Sequence, residues 1–430
     1  MRNLFVSAAV ILLGACVSVP RDAGIGVPNV ELRTQPATAD DERVAAMLQD
    51  ELTADKAVAI AMLNNPRLQV TLAEVGIARA DLIEASTIAN PIFEFEIRYP
   101  GEPYHPYELR LAQSLIELIQ LPRRRAVGRA AFDAAQMRIN AEVLRFGTDV
   151  RASYVELLAA TQHVALSRGV AESARAAAEV AIKQHHAENI TDLDLENEQA
   201  LYEQAKLDLA RAERDLLVAR EAFVRMLGLR EANASWHLPE TFPALPPKEL
   251  EDAATAQRLD IAIARREVEI AQRRVPLSRL AALQDTILDV HFEREPDGEH
   301  TVGPGIEIPI PIFDTGRAAR TRAEAEFLRA RHRLNALEAE SVSQLRATRA
   351  RLAEARARAE YYRDVILPRR ARIVELTKLE HNAMLAGVFQ LLQAKQNQLQ
   401  AHRDFIEAQR EYWTARVDLD RALLGVTGGD

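Results

Sequence analysis

One cysteine in 430 residues is the first absence to note. No intramolecular disulfide can form, so packing and assembly must hold the fold. Aromatic residues are scarce at 5%, while 27% of the chain is charged and Ala, Leu, Arg and Glu dominate. That mixture belongs to long exposed or coiled-coil helices rather than to a compact mixed domain. Positive charge is not in excess: the net charge of −9 argues against nucleic acid as the main partner. Catalytic constellations are missing as well. No HExxH or GxSxG occurs, and His402-Arg403-Asp404 lies inside a heptad-patterned helix with no phosphate-cradling loop near it. The chain reads as a non-enzyme with no cofactor. The apolar run Leu4 to Leu13 is too short to span a bilayer and reads as a secretion signal.

What is present is organised around Gly303 to Ala325, GPGIEIPIPIFDTGRAARTRAEA. Ile306, Ile308 and Ile310 alternate with Glu307, Pro309 and Pro311 into Asp314-Thr315-Gly316, and a helical pattern starts at Arg317. Prolines sit at strand ends rather than in the middle. Asp314 or Thr315 is the expected helix cap. The segment is a strand-to-helix switch, with Pro309, Pro311, Asp314, Gly316 and Arg317 as its marker residues. Leu109 to Ala131 is a looser version.

Four short stretches alternate strictly. Phe93, Phe95, Ile97 and Tyr99 interleave with Glu94, Glu96 and Arg98; Tyr107, Leu109 and Leu111 with Glu108 and Arg110. Leu288, Val290 and Phe292 interleave with Asp289, His291 and Glu293, and the Ile306 stretch comes after a polar Pro/Gly turn. Strands of about ten residues, apolar on one face and charged on the other, fit a transmembrane barrel wall. A half-buried soluble sheet alternates the same way. Between the strand pairs the helical patterns are very long. Arg124 to about His186 would extend about 90 Å. Glu188 to Asp192 makes a tip, with Thr191 and Asp192 as candidate caps, and a return helix ends at Leu227-Gly228.

The chain is duplicated. Leu195, Tyr202, Leu209, Leu216 and Phe223 fall at seven-residue spacing, and Leu392, Leu399, Ile406, Trp413 and Asp420 repeat them 197 positions later. Leu424-Gly425 repeats Leu227-Gly228 at the same offset. Such heptads predict left-handed supercoiling of neighbouring helices. Leu345, Leu352, Ala359, Ile366 and Ile373 form a matching stripe on the outgoing helix of the second half, where Pro368 predicts a kink. The expected organisation is a signal peptide at 1–15, a tether at 16–50 and a first repeat at 51–228. A Pro-rich equatorial linker at 229–250, a second repeat at 251–425 and a tail at 426–430 complete it.

Leu13-Gly14-Ala15-Cys16 resembles the lipobox of bacterial lipoproteins, which implies lipid attachment at Cys16. Four strands cannot close on themselves, and open edges are not tolerated in lipid, so membrane strands would need several chains to share one barrel. Over nearly everything after the tether the chain resembles the TolC-like outer membrane factors. The Pro309-to-Arg317 switch, the tandem repeat and Leu424-Gly425 carry the resemblance. Asn90-Pro91 before a strand and Ser114-Leu115-Ile116-Glu117-Leu118 before a basic helix start resemble most the cation-efflux (CzcC/CusC-like) channel lipoproteins. Gln120-Leu121-Pro122-Arg123 departs from the glycine-rich turn usual there.

The resemblance implies a mostly α fold with a small transmembrane β part. Three protomers would share a 12-stranded β-barrel and a periplasmic α-barrel. It implies a homotrimer in outer membrane lipid, a periplasmic adaptor (membrane fusion protein) and an inner-membrane transporter of the RND type. Heavy-metal cations are the expected cargo; a multidrug or type I protein-secretion duct and a periplasmic coiled-coil adaptor lipoprotein are the alternatives. Glu188, Asp192, Asp194, Glu380 and Gly387 mark the candidate gate and adaptor-docking tips. His185, His186 and His381 fall at matching tips of the two halves and are weak metal candidates, since imidazole pairs alone make poor sites.

Overall fold

The computed structural model describes residues 42–99, 105–229, 236–248 and 258–426. Helices α1 (Glu42–Gln49), α2 (Ala54–Asn64) and α3 (Pro66–Ser86) lead to strands β1 (Ile92–Ile97) and β2 (Tyr107–Ser114). Helix α4 (Leu115–His186, 72 residues) and return helix α5 (Asp192–Leu227) complete the first half. The second half repeats the order with α6 (Leu259–Ser278), β3 (Ile287–Arg294), β4 (His300–Glu307), α7 (Arg317–Tyr361), α8 (Leu367–Asn382) and α9 (Val388–Leu424). The chain divides into two compact units, each drawing on both halves of the duplication.

The first unit, built from Leu72–Asn140 and Leu259–Ala339, holds the sheet and the helix ends beside it. The strands form one antiparallel sheet in the order β1-β2-β3-β4. They are 6 to 8 residues long, shorter than the alternation predicts. β4 also lies earlier than expected, at His300–Glu307, and ends before Pro309. The reason is steric. A Cβ at Gly305 would lie 2.7 Å from the Asp289 carboxylate, and one at Gly303 would lie 3.1 Å from His291 Nε2. These glycines let β4 close on two side chains of β3, so a run that looks like a turn is ladder. Pro304 is tolerated because β4 is an edge strand.

Helix α4 begins at Leu115, nine residues before the predicted Arg124, and contains Pro122. Ser114 Oγ accepts the Glu117 backbone N–H at 3.4 Å, so Ser-x-x-Glu starts the helix directly at the strand end. In the second half neither Asp314 nor Thr315 caps α7. Asp314 Oδ1 accepts the Gly316 N–H at 2.9 Å, and the Gly316 carbonyl accepts the first helical bond from Arg320. Gly316 has φ +72°, and a Cβ there would lie 3.1 Å from the Ala282 nitrogen. Helices α4 and α6 pack through small residues, with Ala130 and Ala134 against Ile270.

The second unit, from Asn29–Thr71, Ala141–Arg258 and Glu340–Asp430, holds the main core. Val44 and Leu48 of α1 are buried in it, so chain expected to be tether is ordered helix from Glu42. Tyr154, Phe223 and Trp236 meet at ring distances of 6.2 and 5.8 Å. The Tyr154 hydroxyl donates to the Leu52 carbonyl at 3.0 Å, and burial pushes its pKa up to about 12. Part of the Pro-rich linker packs here: Phe242 is buried, and the Pro246 carbonyl accepts from Arg356 at 2.8 Å.

Helices α2 and α3 are separated by a break at Asn64-Asn65-Pro66. Both asparagine side chains are buried and turn to the end of α5. Asn64 Nδ2 donates to the carbonyls of Leu227 (3.3 Å) and Gly228 (3.0 Å); Asn65 Nδ2 donates to those of Arg225 (3.2 Å) and Met226 (2.7 Å). Two amides thus satisfy carbonyls that the end of a helix leaves without partners.

No member of either return-helix heptad stripe is exposed. Asp420, at the position equivalent to buried Phe223, pairs with Arg416 (3.6 Å) and Arg151 (4.0 Å), while burial raises its carboxyl pKa. On the outgoing side the stripe fails at Ile373, which is exposed. A π-helical turn at Tyr362–Ile366 precedes Pro368, the second residue of α8. The wider turn relieves the clash a proline makes with the preceding turn. Its extra residue rotates the rest of the helix by about 100°, which carries Ile373 off the buried face.

Candidate functional site

The sheet has two chemically opposite faces because its register never slips. Glu94 stands opposite Arg110, Arg110 opposite His291 and His291 opposite Gly303. On that face two guanidiniums each collect three carboxylates. Arg110 lies 3.1 Å from Glu307, 3.5 Å from Asp289 and 3.8 Å from Glu94. Arg98 lies 3.0 Å from Glu108, 3.1 Å from Glu96 and 3.5 Å from Glu293. The clusters tie all four strands together and leave six carboxylates against two arginines. The opposite face carries Phe93, Phe95, Leu111, Val290, Val302 and Ile306, all exposed in the chain. Side-chain alternation has period two, so one ladder sorts these sets completely.

Each hairpin tip is a tight turn. Ala187–Thr191 joins α4 to α5, and Glu188 there adopts φ +58°. Thr191 and Asp194 form a reciprocal capping box, with bonds of 3.1 and 3.2 Å between backbone and side chain. Asp192, in the first turn of α5, instead reaches back to His185 Nε2 at 2.6 Å and clasps the two helices. Of the residues singled out in sequence, the fold brings these together in one tip. In the second tip Glu380 contributes its carbonyl, which accepts from the Leu385 N–H at 2.9 Å. His381 Nδ1–H donates to the Ala386 carbonyl at 3.0 Å, and Gly387 precedes α9. Leu193, Met384 and Leu385 are exposed at the tips, a feature the charge-centred reading missed. His185 and His186 rings lie 6.4 Å apart. Among the described residues no group of three or more His, Cys, Asp and Glu stands close enough to hold a metal ion. Cys16 lies outside the described residues. Pro309 and Pro311 fall between β4 and α7, and Arg317 is the first residue of α7.

Helices α4, α5 and α9 also line a charged cavity of about 420 Å³ with Glu156, His163, Asp208, Arg403, Glu407 and Arg410. Burial lowers the His163 pKa, and the Arg410 hydrogen bond lowers that of Glu407. Four carboxylates there (Glu156, Asp208, Asp215 and Glu407) face three guanidiniums (Arg211, Arg403 and Arg410), so most of the charge is paired within the cavity. Among the described residues no helix is long and apolar enough to cross a membrane.

Residues 250–425 match the family described as outer membrane efflux protein. The cobalt-zinc-cadmium resistance protein CzcC of Cupriavidus metallidurans is 22% identical over 380 residues, covering 86% of this chain and 90% of that protein. Among solved structures, CusC, described for its folding and transmembrane channel formation, superposes with a TM-score of 0.71 at 16% identity, covering 92% of this chain and 96% of that one. The outer membrane protein VceC of Vibrio cholerae gives 0.72 at 15% identity, covering 86% and 95%. Residues 250–425 thus carry the sequence pattern of the outer membrane efflux protein family, and the chain has the fold of solved outer membrane channels.

Proposed function

We propose that three copies of this chain complete one barrel and form the passive outer membrane duct of a tripartite, RND-type efflux system for heavy-metal cations. The sheet carries the proposal: one face charged, the other exposed and apolar, and both edges unpaired among the described residues. A sheet in lipid must be closed, and four strands are too few to close alone. Charged faces turned inward would make a wet conduit with apolar faces in lipid. The cation cargo rests on the name that CzcC carries and on the surplus of carboxylates over arginines.

In this reading Cys16 carries the lipid, and the tips meet an adaptor whose pump supplies the energy. Glu188, Asp192, Asp194 and Glu380 would then ring the entrance, with Asp192 serving both as clasp to His185 and as part of the acidic rim. Deleting the chain from its host should lower tolerance to cobalt, zinc and cadmium salts, and re-expression should restore it. Unchanged metal tolerance with new sensitivity to apolar drugs would favour the multidrug duct instead. Cys16→Ala should abolish incorporation of labelled palmitate; undiminished label would refute the lipid anchor.

A further inference from the structure

Beside the sheet, in the same unit, lies a set of cations with nothing to bind. Arg123, Arg279, Arg317 and Arg320 are exposed, and their guanidiniums make no ion pair or hydrogen bond among the described residues. Three neighbouring arginines are engaged: Arg124 with Glu117 at 3.7 Å, Arg125 with the Ser86 carbonyl and Arg273 with Glu269. The four exposed ones come from α4, α7 and the turn that follows α6, which converge on one end of the sheet. Leu115 N–H donates to the Thr286 carbonyl at 2.9 Å, joining the start of α4 to the start of β3. Gln120 Nε2 donates to the Leu277 carbonyl at 3.2 Å, which brings Arg123 and Arg279 near each other. The close approach of Gly316 to Ala282 brings the start of α7 to the same place.

Arg317 and Arg320 also oppose the local field. They occupy the first turn of α7, the end of a helix that favours negative charge, and the first turn holds no acidic residue. Next to them, Ile310, Ile312 and Phe313 are 80%, 71% and 99% exposed. Ile310 and Ile312 extend the even-numbered positions that form the apolar face of β4. An exposed apolar strap leading from a lipid-facing sheet into unpaired arginines is the profile of a membrane–water boundary.

We infer that these arginines form a collar that binds anionic phospholipid headgroups of the periplasmic leaflet, with the strap at the level of the headgroups. The inference rests on the outer membrane reading proposed for this chain. Arg123 is eight residues beyond the start of α4, about 12 Å along its axis, and a long flexible stem can reach back to the interface. Basic residues at such a boundary gain from an anionic leaflet, and the gain grows with each charge.

The test places the full-length protein in nanodiscs made from equal parts phosphatidylcholine and phosphatidylglycerol and measures the lipids retained on extraction. Phosphatidylglycerol should be enriched about tenfold around the wild type. The Arg123→Gln, Arg279→Gln, Arg317→Gln, Arg320→Gln variant should return to the bulk ratio while keeping its oligomeric state. Absence of enrichment in the wild type, or equal enrichment in the variant, would overturn the collar. A variant that loses its oligomeric state would also overturn it, by assigning the arginines to contacts with a second copy. Both proteins should float with pure phosphatidylcholine vesicles, since the apolar sheet face carries insertion. Failure of both to float would refute the outer membrane reading itself, a result distinct from flotation without enrichment.

Discussion

Gly228→Val is expected to be the most damaging single substitution in the described chain. Gly228 ends α5 with φ +72°, where a side chain is strained by roughly 1–2 kcal/mol. A Cβ there would also stand 2.7 Å from the Asn64 carbonyl oxygen and the Asn65 Cα, which are backbone atoms that cannot swing aside. Moving them would disturb the four amide–carbonyl hydrogen bonds that Asn64 and Asn65 make to the helix end. At about 1 kcal/mol for each bond, the combined loss is about 4 kcal/mol or more. Thermal unfolding monitored by circular dichroism should show a fall of many degrees. Gly169→Ala is the control. Gly169 sits inside α4 with nothing within 4 Å of its would-be Cβ, so alanine should leave stability equal or slightly higher. Similar melting curves for Gly228→Val and wild type would show that this junction does not hold the core of its unit together. Asn65→Asp probes the same contact more finely. It keeps the shape but turns a carboxylate oxygen toward the Arg225 and Met226 carbonyls, so it should destabilise more than Asn65→Ala.

The second large effect concerns the charged face of the sheet. If that face lines a conduit, converting Glu96, Glu108 and Glu293 to Gln leaves Arg98 without its three carboxylates, once in every copy. Cation preference in planar bilayers should fall severalfold, read as a shift of reversal potential in a salt gradient. Arg110→Gln should act in the opposite sense, since it frees Glu94, Asp289 and Glu307 from their shared cation. Opposite shifts from the two variants are hard to obtain by general disruption. Identical reversal potentials would mean that permeating ions do not meet this face.

The parts of the fold legible in sequence are those governed by local periodicity. Strict alternation located the sheet, and seven-residue spacing located α5 and α9 along with their common Leu-Gly ends. The tip at Glu188 to Asp192 is legible in the sequence, and of its two candidate caps Thr191 does cap α5 while Asp192 bonds His185. The features that escaped depend on contacts between distant residues. Gly303-Pro304-Gly305 reads as a turn until Asp289 and His291 are known to occupy the space that side chains would fill. Asn64-Asn65 gives no local sign of its role, which depends on the carbonyls of Arg225 to Gly228 lying beside it. The π-helical turn before Pro368 shifts a heptad whose phase cannot reveal the shift in advance. The sheet's ionic clusters were visible only as alternating charge; that Arg98 and Arg110 each hold three carboxylates depends on strand register.

Closure of the two open sheet edges by further copies of the chain is the condition on which a shared barrel stands or falls. Chemical crosslinking and mass determination of the detergent-extracted outer membrane fraction test it directly. A single trimeric species that dissociates on heating, with β1 of one copy crosslinking to β4 of the next, is the predicted result. A monomer, or a protein recovered in the soluble or inner-membrane fraction, would contradict the shared barrel and return the strands to an ordinary periplasmic sheet.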